Sequence, residues 1–137
     1  MTLNIGSGLN NRQFGDIDFD INIASEPDVC GNCEQLPFKD ESFDSIKAIH
    51  VLEHVDDVVP VMDECWRVLK RKGTMRINVP MFPHELAIAD PTHKRFFVPL
   101  TFSYFTTKGR LTGLKHVWDN LGVQNNGMEI VGVLKKV

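Results

Sequence analysis

Four short apolar segments open the sequence, at residues 2–5, 16–21, 28–30 and 42–50. In the second segment, Ile17, Phe19 and Ile21 alternate with aspartates, which is typical of a strand with one buried face. Glycines, acidic residues or polar loops follow each segment. Strands that alternate with loop or helical connections favour a largely parallel sheet, so we predict an α/β fold.

An amphipathic helix is predicted after the fourth segment, because apolar residues recur there at spacings of three and four. These residues are Val58, Val61, Met62, Cys65, Trp66 and Leu69. Asp56 or Asp57 is predicted to cap the start of this helix. The basic residues 70–72 suit the negative end of a helix dipole, and Gly73 is predicted to be the C-terminal cap.

The remaining sequence predicts a strand at 74–80, a loop at 81–98 and a short helix at 99–109. Two further strands, at 114–120 and 128–137, flank the turn-rich residues 124–127. This pattern predicts an antiparallel hairpin at the edge of the sheet. The length of 137 residues suits one domain spanning 1–137.

Composition limits the partners that we expect. Apolar residues make up 42% and charged residues 24%, the net charge is -3 and the pI is near 5.9. An acidic chain of this kind is a poor candidate for a nucleic-acid binder that relies on a basic surface. No apolar run approaches the length of a membrane span, and residues 1–11 lack the pattern of a signal peptide. We therefore expect a cytoplasmic protein.

Small and polar residues follow each predicted strand, where ligands of parallel sheets bind. The first strand ends in Gly6-Ser7-Gly8, where glycine lets a ligand approach the backbone closely. The second strand ends near Asp20, although Asp18 shares its parity and leaves the register open. An acidic group at this place typically binds the two hydroxyls of a ribose.

Two short motifs suggest metal or redox chemistry. Residues 50–54 spell H-x-x-E-H, the zinc motif of inverted metalloproteases. That motif needs a continuous helix, whereas here it directly follows a predicted strand, so we predict no metal site. Cys30 and Cys33 form a C-x-x-C, which could be a redox pair or half a zinc site. No second ligand pair accompanies it, so we interpret it as two small residues at a strand end.

Five segments together resemble the class I S-adenosylmethionine-dependent methyltransferases. They are "LNIGSG", "IDFDI", "PDVCGNCEQLPFKDESFDSIKAIHVLEHVDD", "ECWRVLKRKGTMRINVP" and "DPTHKRFF", in the order that the family uses. The chain resembles most the small members that carry "HVLEH" after strand four. The resemblance implies a minimal Rossmann-like fold, S-adenosyl-L-methionine as cofactor, and methyl transfer to a small-molecule, glycan or lipid-precursor acceptor.

The resemblance also implies roles for individual residues. Implied cofactor-binding residues are Gly6, Ser7, Gly8, Asp20, Asn32, Cys33, His50 and Leu52. Implied substrate-binding residues are Glu53, His54, His93 and Arg95. His54 and His93 are the candidate catalytic bases, because a histidine can take a proton from the acceptor near neutral pH.

Two departures from the family pattern leave an alternative open. The family commonly has an acid where Asn32 stands, and the link from Gly8 to Asp16 is short enough to reduce the first helix to a turn. The cleft could be open or completed by a second subunit, as in a homodimer. The alternative function is a catalytically inactive cofactor-binding regulatory or assembly subunit.

Overall fold

The computed structural model describes residues 1–11, 14–106 and 115–137 of the chain. The strands of its single sheet are β1 (Thr2–Ile5), β2 (Ile17–Asp20), β3 (Val29–Cys30), β4 (Phe43–Ile49), β5 (Leu69–Pro80), β6 (Trp118–Asn125) and β7 (Glu129–Lys136). The α-helices are α1 (Val58–Val68) and α2 (Glu85–Ile88), and 3-10 turns form at Ile23–Ser25 and Pro99–Phe105.

The strand order is β3-β2-β1-β4-β5-β7-β6. Strands β1 to β5 pair in parallel, whereas β7 runs antiparallel to both β5 and β6. The predicted α/β fold, with a mostly parallel sheet and a C-terminal antiparallel hairpin at its edge, is confirmed. Because β1 and β4 are neighbours at the centre, the segments that follow them meet at one edge of the sheet.

The apolar pattern of the sequence places the core on the central strands and α1. Leu3, Ile5 and Ile46 are fully buried, and α1 contributes Val61 and Met62. Asp57 caps α1 by accepting a hydrogen bond from the amide of Val59 at 3.0 Å, as predicted for one of the two candidate aspartates. Within the described ranges, no helix is both long and apolar enough to cross a membrane.

The predicted end of α1 is wrong. The helix stops at Val68, and Leu69 already has an extended backbone, so residues 70–73 belong to β5. Leu69 is fully buried and pairs with Phe43 on β4, and this pairing starts the strand before the predicted cap. Gly73 instead lets neighbouring backbone pack closely against it, because an added Cβ would lie 2.9 Å from the carbonyl oxygen of Lys70.

Several other element boundaries differ from the predicted ones. Strand β6 begins at Trp118 and continues through residues 124–125, which the sequence predicts to be in the turn. The predicted loop at 81–98 contains the short helix α2, and Phe105 ends the 3-10 turn where a helix to residue 109 was expected. Residues 107–114 lie outside the described ranges, and so does part of the predicted strand at 114–120. The described part of the link from β1 to β2 contains only turns, as predicted.

Candidate active site

The turn after β1 needs its first glycine for both conformation and space. Gly6 has φ +62°, and a Cβ there would lie 2.3 Å from Cγ2 of Val51, which follows β4. Gly8 has φ +51°, yet a Cβ there would meet no atom within 4 Å. The backbone of Gly8 therefore borders open space, where a ligand can approach it.

Asp20 is the acid that faces this space. Its Oδ2 accepts from the amide of Gly8 at 2.7 Å, and its Oδ1 accepts from the amide of Asn22 at 2.8 Å. Asp18 instead accepts a hydrogen bond from Nδ2 of Asn4 at 2.7 Å and is not among the residues that line this space. The structure thus places Asp20, and not Asp18, at the open side.

A cavity of about 630 Å³ opens at the ends of β1 to β4, and we call it the cofactor cleft. Its lining includes six of the eight predicted cofactor-binding residues: Gly6, Gly8, Asp20, Asn32, Cys33 and His50. Burial raises the pKa of the Cys33 thiol to about 11. Cys33 therefore contributes an uncharged wall at neutral pH and is not a reactive thiolate.

Two predicted cofactor contacts are not found in the cleft. Leu52 is fully buried in the hydrophobic core, so its side chain does not line the cleft. Ser7 is also fully buried, and its hydroxyl has no hydrogen-bond partner among the described residues. The turn at residues 6–8 exposes its two glycines to the cleft and directs the serine inward.

The H-x-x-E-H string lies in a turn and not in a helix. His50 follows β4 with φ +53°, and its amide donates to the carbonyl of Asn78 on β5 at 2.9 Å. This left-handed backbone turns the chain across the end of the sheet. Residues 51–54 then form turns, so the helix that the metalloprotease motif requires is absent from this segment.

His50 bridges two acidic side chains. Its Nδ1 lies 3.4 Å from Oε1 of Glu53, and its Nε2 lies 3.2 Å from Oε1 of Glu129 on β7. The hydrogen bond to Glu53 raises the pKa of His50 above its usual value, and Glu129 adds to this effect. Asn78 donates to the same oxygen of Glu129 at 2.8 Å and holds it in place.

A second cavity of about 490 Å³ adjoins the cleft, and we call it the acceptor cavity. His50 and His54 line both cavities. Glu53 and His93, both predicted to bind substrate, line the acceptor cavity together with Asp90 and Glu129. Pro80, Leu86 and Met128 supply apolar walls.

Hydrogen bonds fix how the two candidate bases face this cavity. Nδ1 of His93 lies 2.9 Å from the carbonyl oxygen of Ala87, which can only accept, so Nδ1 carries the proton. The hydroxyl of Thr92 donates its one proton to Asp90 at 2.6 Å. It therefore accepts a hydrogen bond from Nδ1 of His54, which lies 3.0 Å away. Each neutral ring therefore keeps a lone pair on Nε2.

Segment 90–95 docks onto the turn after β4. The amide of Lys94 donates to the carbonyl of Glu53 at 2.7 Å. Nη2 of Arg95 donates to the carbonyls of Val55 and Asp56 at 2.8 and 2.6 Å. Arg95 lines neither cavity, and its guanidinium binds backbone carbonyls, so the structure gives its predicted role in substrate binding no support.

One group of side chains has the composition of a metal site. Acceptor atoms of Glu53, His54 and His93 lie within 4.8 Å of one another, and Glu53 is buried. The prediction of no metal considered the H-x-x-E-H string and the C-x-x-C, and it did not consider a group in which His93 stands beside Glu53 and His54. The C-x-x-C forms no such group in the described part of the chain, where Cys30 and Cys33 are free thiols.

Asp90 and Glu129 are site residues that the sequence did not indicate. Glu129 comes from β7, 51 residues after its partner Asn78, so no local spacing connects them. Asp90 lies in the quoted "DPTH" string, and that signal could have placed it beside His93.

Comparisons with known proteins agree with this geometry. Residues 10–77 match a family model described as "Methyltransferase domain". The chain is 33% identical over 119 residues to the uncharacterized protein MJ0638 of Methanocaldococcus jannaschii. This alignment covers 80% of this chain and 50% of that protein. It is 35% identical over 79 residues to the demethylmenaquinone methyltransferase of Thermotoga maritima, covering 58% of this chain and 31% of that one.

A solved structure shows the same fold over nearly the whole chain. A methyltransferase of Thermotoga maritima, described as a possible histamine N-methyltransferase, superposes with a TM-score of 0.72. The alignment has 22% identity and covers 99% of this chain and 82% of the other. The chain spans half or less of the length of the two curated relatives above.

The fold and the matched domain together define an S-adenosylmethionine-dependent methyltransferase of class I. This chain belongs to that family, and the predicted resemblance is confirmed.

Proposed function

We propose that this chain transfers a methyl group from S-adenosylmethionine to a small-molecule acceptor. The observation that carries the proposal is the shared wall of the two cavities: His50 and His54 border both the cofactor cleft and the acceptor cavity. A methyl donor and an acceptor bound side by side need such a junction, because the reacting atoms must approach within about 3–3.5 Å.

The residues of the cleft fit the cofactor. The carboxylate of Asp20 has about four lone-pair sites and uses two of them for the amides of Gly8 and Asn22. The two that remain suit the two hydroxyls of a ribose. Asn32 uses its Oδ1 for the amide of Glu34 at 2.9 Å, which leaves its Nδ2 to donate to the adenine edge.

The cofactor supplies an electrophilic methyl group on a sulfonium sulfur, which keeps the bonding electrons when the methyl leaves. The chain orients the acceptor and removes its proton. His54 and His93 are the groups that can do this, since each presents a lone pair on Nε2 and neither is needed to hold the ribose.

The demethylmenaquinone methyltransferase relatives support a small-molecule acceptor. The size of the acceptor cavity also suits a small molecule.

An acceptor panel tests this function. The purified protein is incubated with S-adenosylmethionine and small phenols, amines and carbon acids, and release of S-adenosylhomocysteine is measured. We expect release with at least one class, and loss of that release in His54→Ala. Cofactor binding without release for any acceptor would favour the alternative, an inactive cofactor-binding subunit.

A further inference from the structure

We propose that the methyl acceptor is a cationic amine, held by Glu53, His54 and His93 in the acceptor cavity. We call these three side chains the amine cradle. The inference rests on the proposed function and adds the class of acceptor, which the family does not determine.

The amine cradle brings three potential hydrogen-bond acceptors close together. Its three side chains each contribute one acceptor atom, and these atoms lie within 4.8 Å of one another. Both histidines donate from Nδ1 to neighbours and keep lone pairs on Nε2. An ammonium or alkylammonium group carries several N–H donors, whereas a hydroxyl has one, so only the amine can satisfy all three.

Glu53 supplies the strongest reason for a ligand. Its side chain is only 2% exposed, and Oε2 has no hydrogen-bond partner among the described residues. A buried carboxylate with an unpaired oxygen is costly, so a cation that binds beside Glu53 relieves this cost by compensating its charge. A neutral hydroxyl relieves less of it, because it brings no charge.

The charge of the cavity points the same way. Glu53, Asp90 and Glu129 contribute three carboxylates to its lining, and the lining residues that the structure describes include no lysine or arginine. If His50 is protonated, it offsets only one of them. The carboxylates outnumber it, which favours a cationic ligand over an anionic one.

The spacing of the amine cradle lies between those of an ammonium site and a metal site. Three acceptors around an ammonium, each about 2.9 Å from nitrogen at tetrahedral angles, lie about 4.7 Å apart. A metal with ligands at about 2.1 Å draws its ligand atoms to within about 3.0–3.5 Å. Nε2 of His54 and Oε1 of Glu53 lie 3.9 Å apart, between these two spacings, so a metal ion is the competing ligand that the experiment must exclude.

Binding and reaction use the same groups. The bound ammonium gives one proton to Nε2 of His54. The neutral amine, which still donates to Glu53 and His93, then turns its lone pair from His54 toward the methyl carbon. That lone pair forms the bond to the methyl carbon while the bond from carbon to sulfur breaks and sulfur keeps its electrons. Glu53 stabilises the positive charge that develops on His54 and on the methylated nitrogen.

A matched pair of probes tests the inference. Phenethylamine and 2-phenylethanol have the same carbon skeleton and differ only in the amine and hydroxyl groups. Each is titrated calorimetrically into the full chain at pH 7 with saturating S-adenosylhomocysteine. We expect the amine to bind at least about tenfold more tightly, because a charge-assisted hydrogen bond contributes about 1.5–3 kcal/mol. Glu53→Gln should remove most of that preference, whereas Asp119→Asn on β6, outside both cavities, should keep it.

The outcomes separate the two proposals. Failure to bind S-adenosylhomocysteine at all would overturn the proposed function. Binding of S-adenosylhomocysteine with equal affinity for the two probes, or with preference for the alcohol, would overturn the amine inference alone. Stoichiometric binding of Zn²⁺ or Mn²⁺ that is lost in Glu53→Gln would also overturn it, in favour of a metal. The comparison of probes in the unaltered protein needs no variant, so it stands even where Glu53→Gln does not fold.

Discussion

His54 and His93 differ in what they border, and this difference makes their roles separable. His54 lines both cavities, whereas His93 lines only the acceptor cavity. The ring of His93 meets the ring of His54 edge to face, with centroids 4.8 Å apart, so His93 also supports the orientation of His54.

We expect His54→Ala to lower turnover by about 10²–10⁴-fold, the usual contribution of a general base, and to remove the dependence of rate on pH between about pH 5 and 8. His93→Ala should lower turnover less and leave cofactor affinity within about threefold of the unaltered protein. Steady-state kinetics across pH and calorimetry with S-adenosylhomocysteine measure both. Full activity of His54→Ala would rule it out as the base.

The two glycines after β1 provide a stability test within a single turn. Gly6→Ala combines a positive φ with a Cβ only 2.3 Å from Val51, so we expect it to lower the free energy of unfolding by about 2–4 kcal/mol. Gly8→Ala carries only the cost of its φ, about 1–2 kcal/mol. Urea denaturation compares the two, and equal losses would contradict the close approach of Gly6 to Val51.

At the scale of elements, Arg67 connects α1 to the loop before β4 through hydrogen bonds. Its guanidinium donates to the carbonyls of Leu36 and Phe38 and pairs with Glu64 one helical turn earlier. Glu64 in turn accepts from the amide of Leu36 at 2.8 Å. These contacts hold the loop whose residues 32–34 line the cleft.

This contact predicts a pH dependence of stability. The hydrogen bond from Arg67 lowers the pKa of the Glu64 carboxyl below its value in the unfolded chain. The stabilisation is therefore complete above the unfolded pKa and is lost as pH falls through the folded pKa. We expect Glu64→Gln to cost about 1–3 kcal/mol at pH 7 and much less at pH 3. Denaturation at both pH values measures this, with Asp40→Asn, at an exposed partner of Arg67, as the milder control.

Elements were predictable from sequence where one local pattern determined them. The alternation around Phe19 gave β2, and spacings of three and four gave α1 with its cap at Asp57. The end of α1 was predicted incorrectly, because a basic run followed by glycine also suits a strand that begins by pairing Leu69 with Phe43. Pairing between distant segments overrode the local signal.

The candidate site was predictable to a similar degree. Strand ends placed Asp20, Asn32 and His50 together, because parallel topology gathers those ends at one edge. The side chains of Leu52 and Arg95 lie outside the two cavities, since the direction of a side chain within a turn does not follow from spacing. Glu129 was missed because β7 inserts between β5 and β6 from the far end of the chain.

At the scale of the whole molecule, every assignment depends on the cofactor occupying the cleft at the ends of β1 to β4. Calorimetric titration of S-adenosylmethionine tests this most directly. We predict one site per chain, no binding of NAD, and about a tenfold to few-hundredfold loss of affinity in Asp20→Ala, because a charge-assisted hydrogen bond contributes about 1.5–3 kcal/mol. Asp18→Asn, which changes an acid outside the cleft, should bind within about threefold of the unaltered protein. Binding of NAD in place of S-adenosylmethionine, or normal affinity in a folded Asp20→Ala protein, would contradict the account.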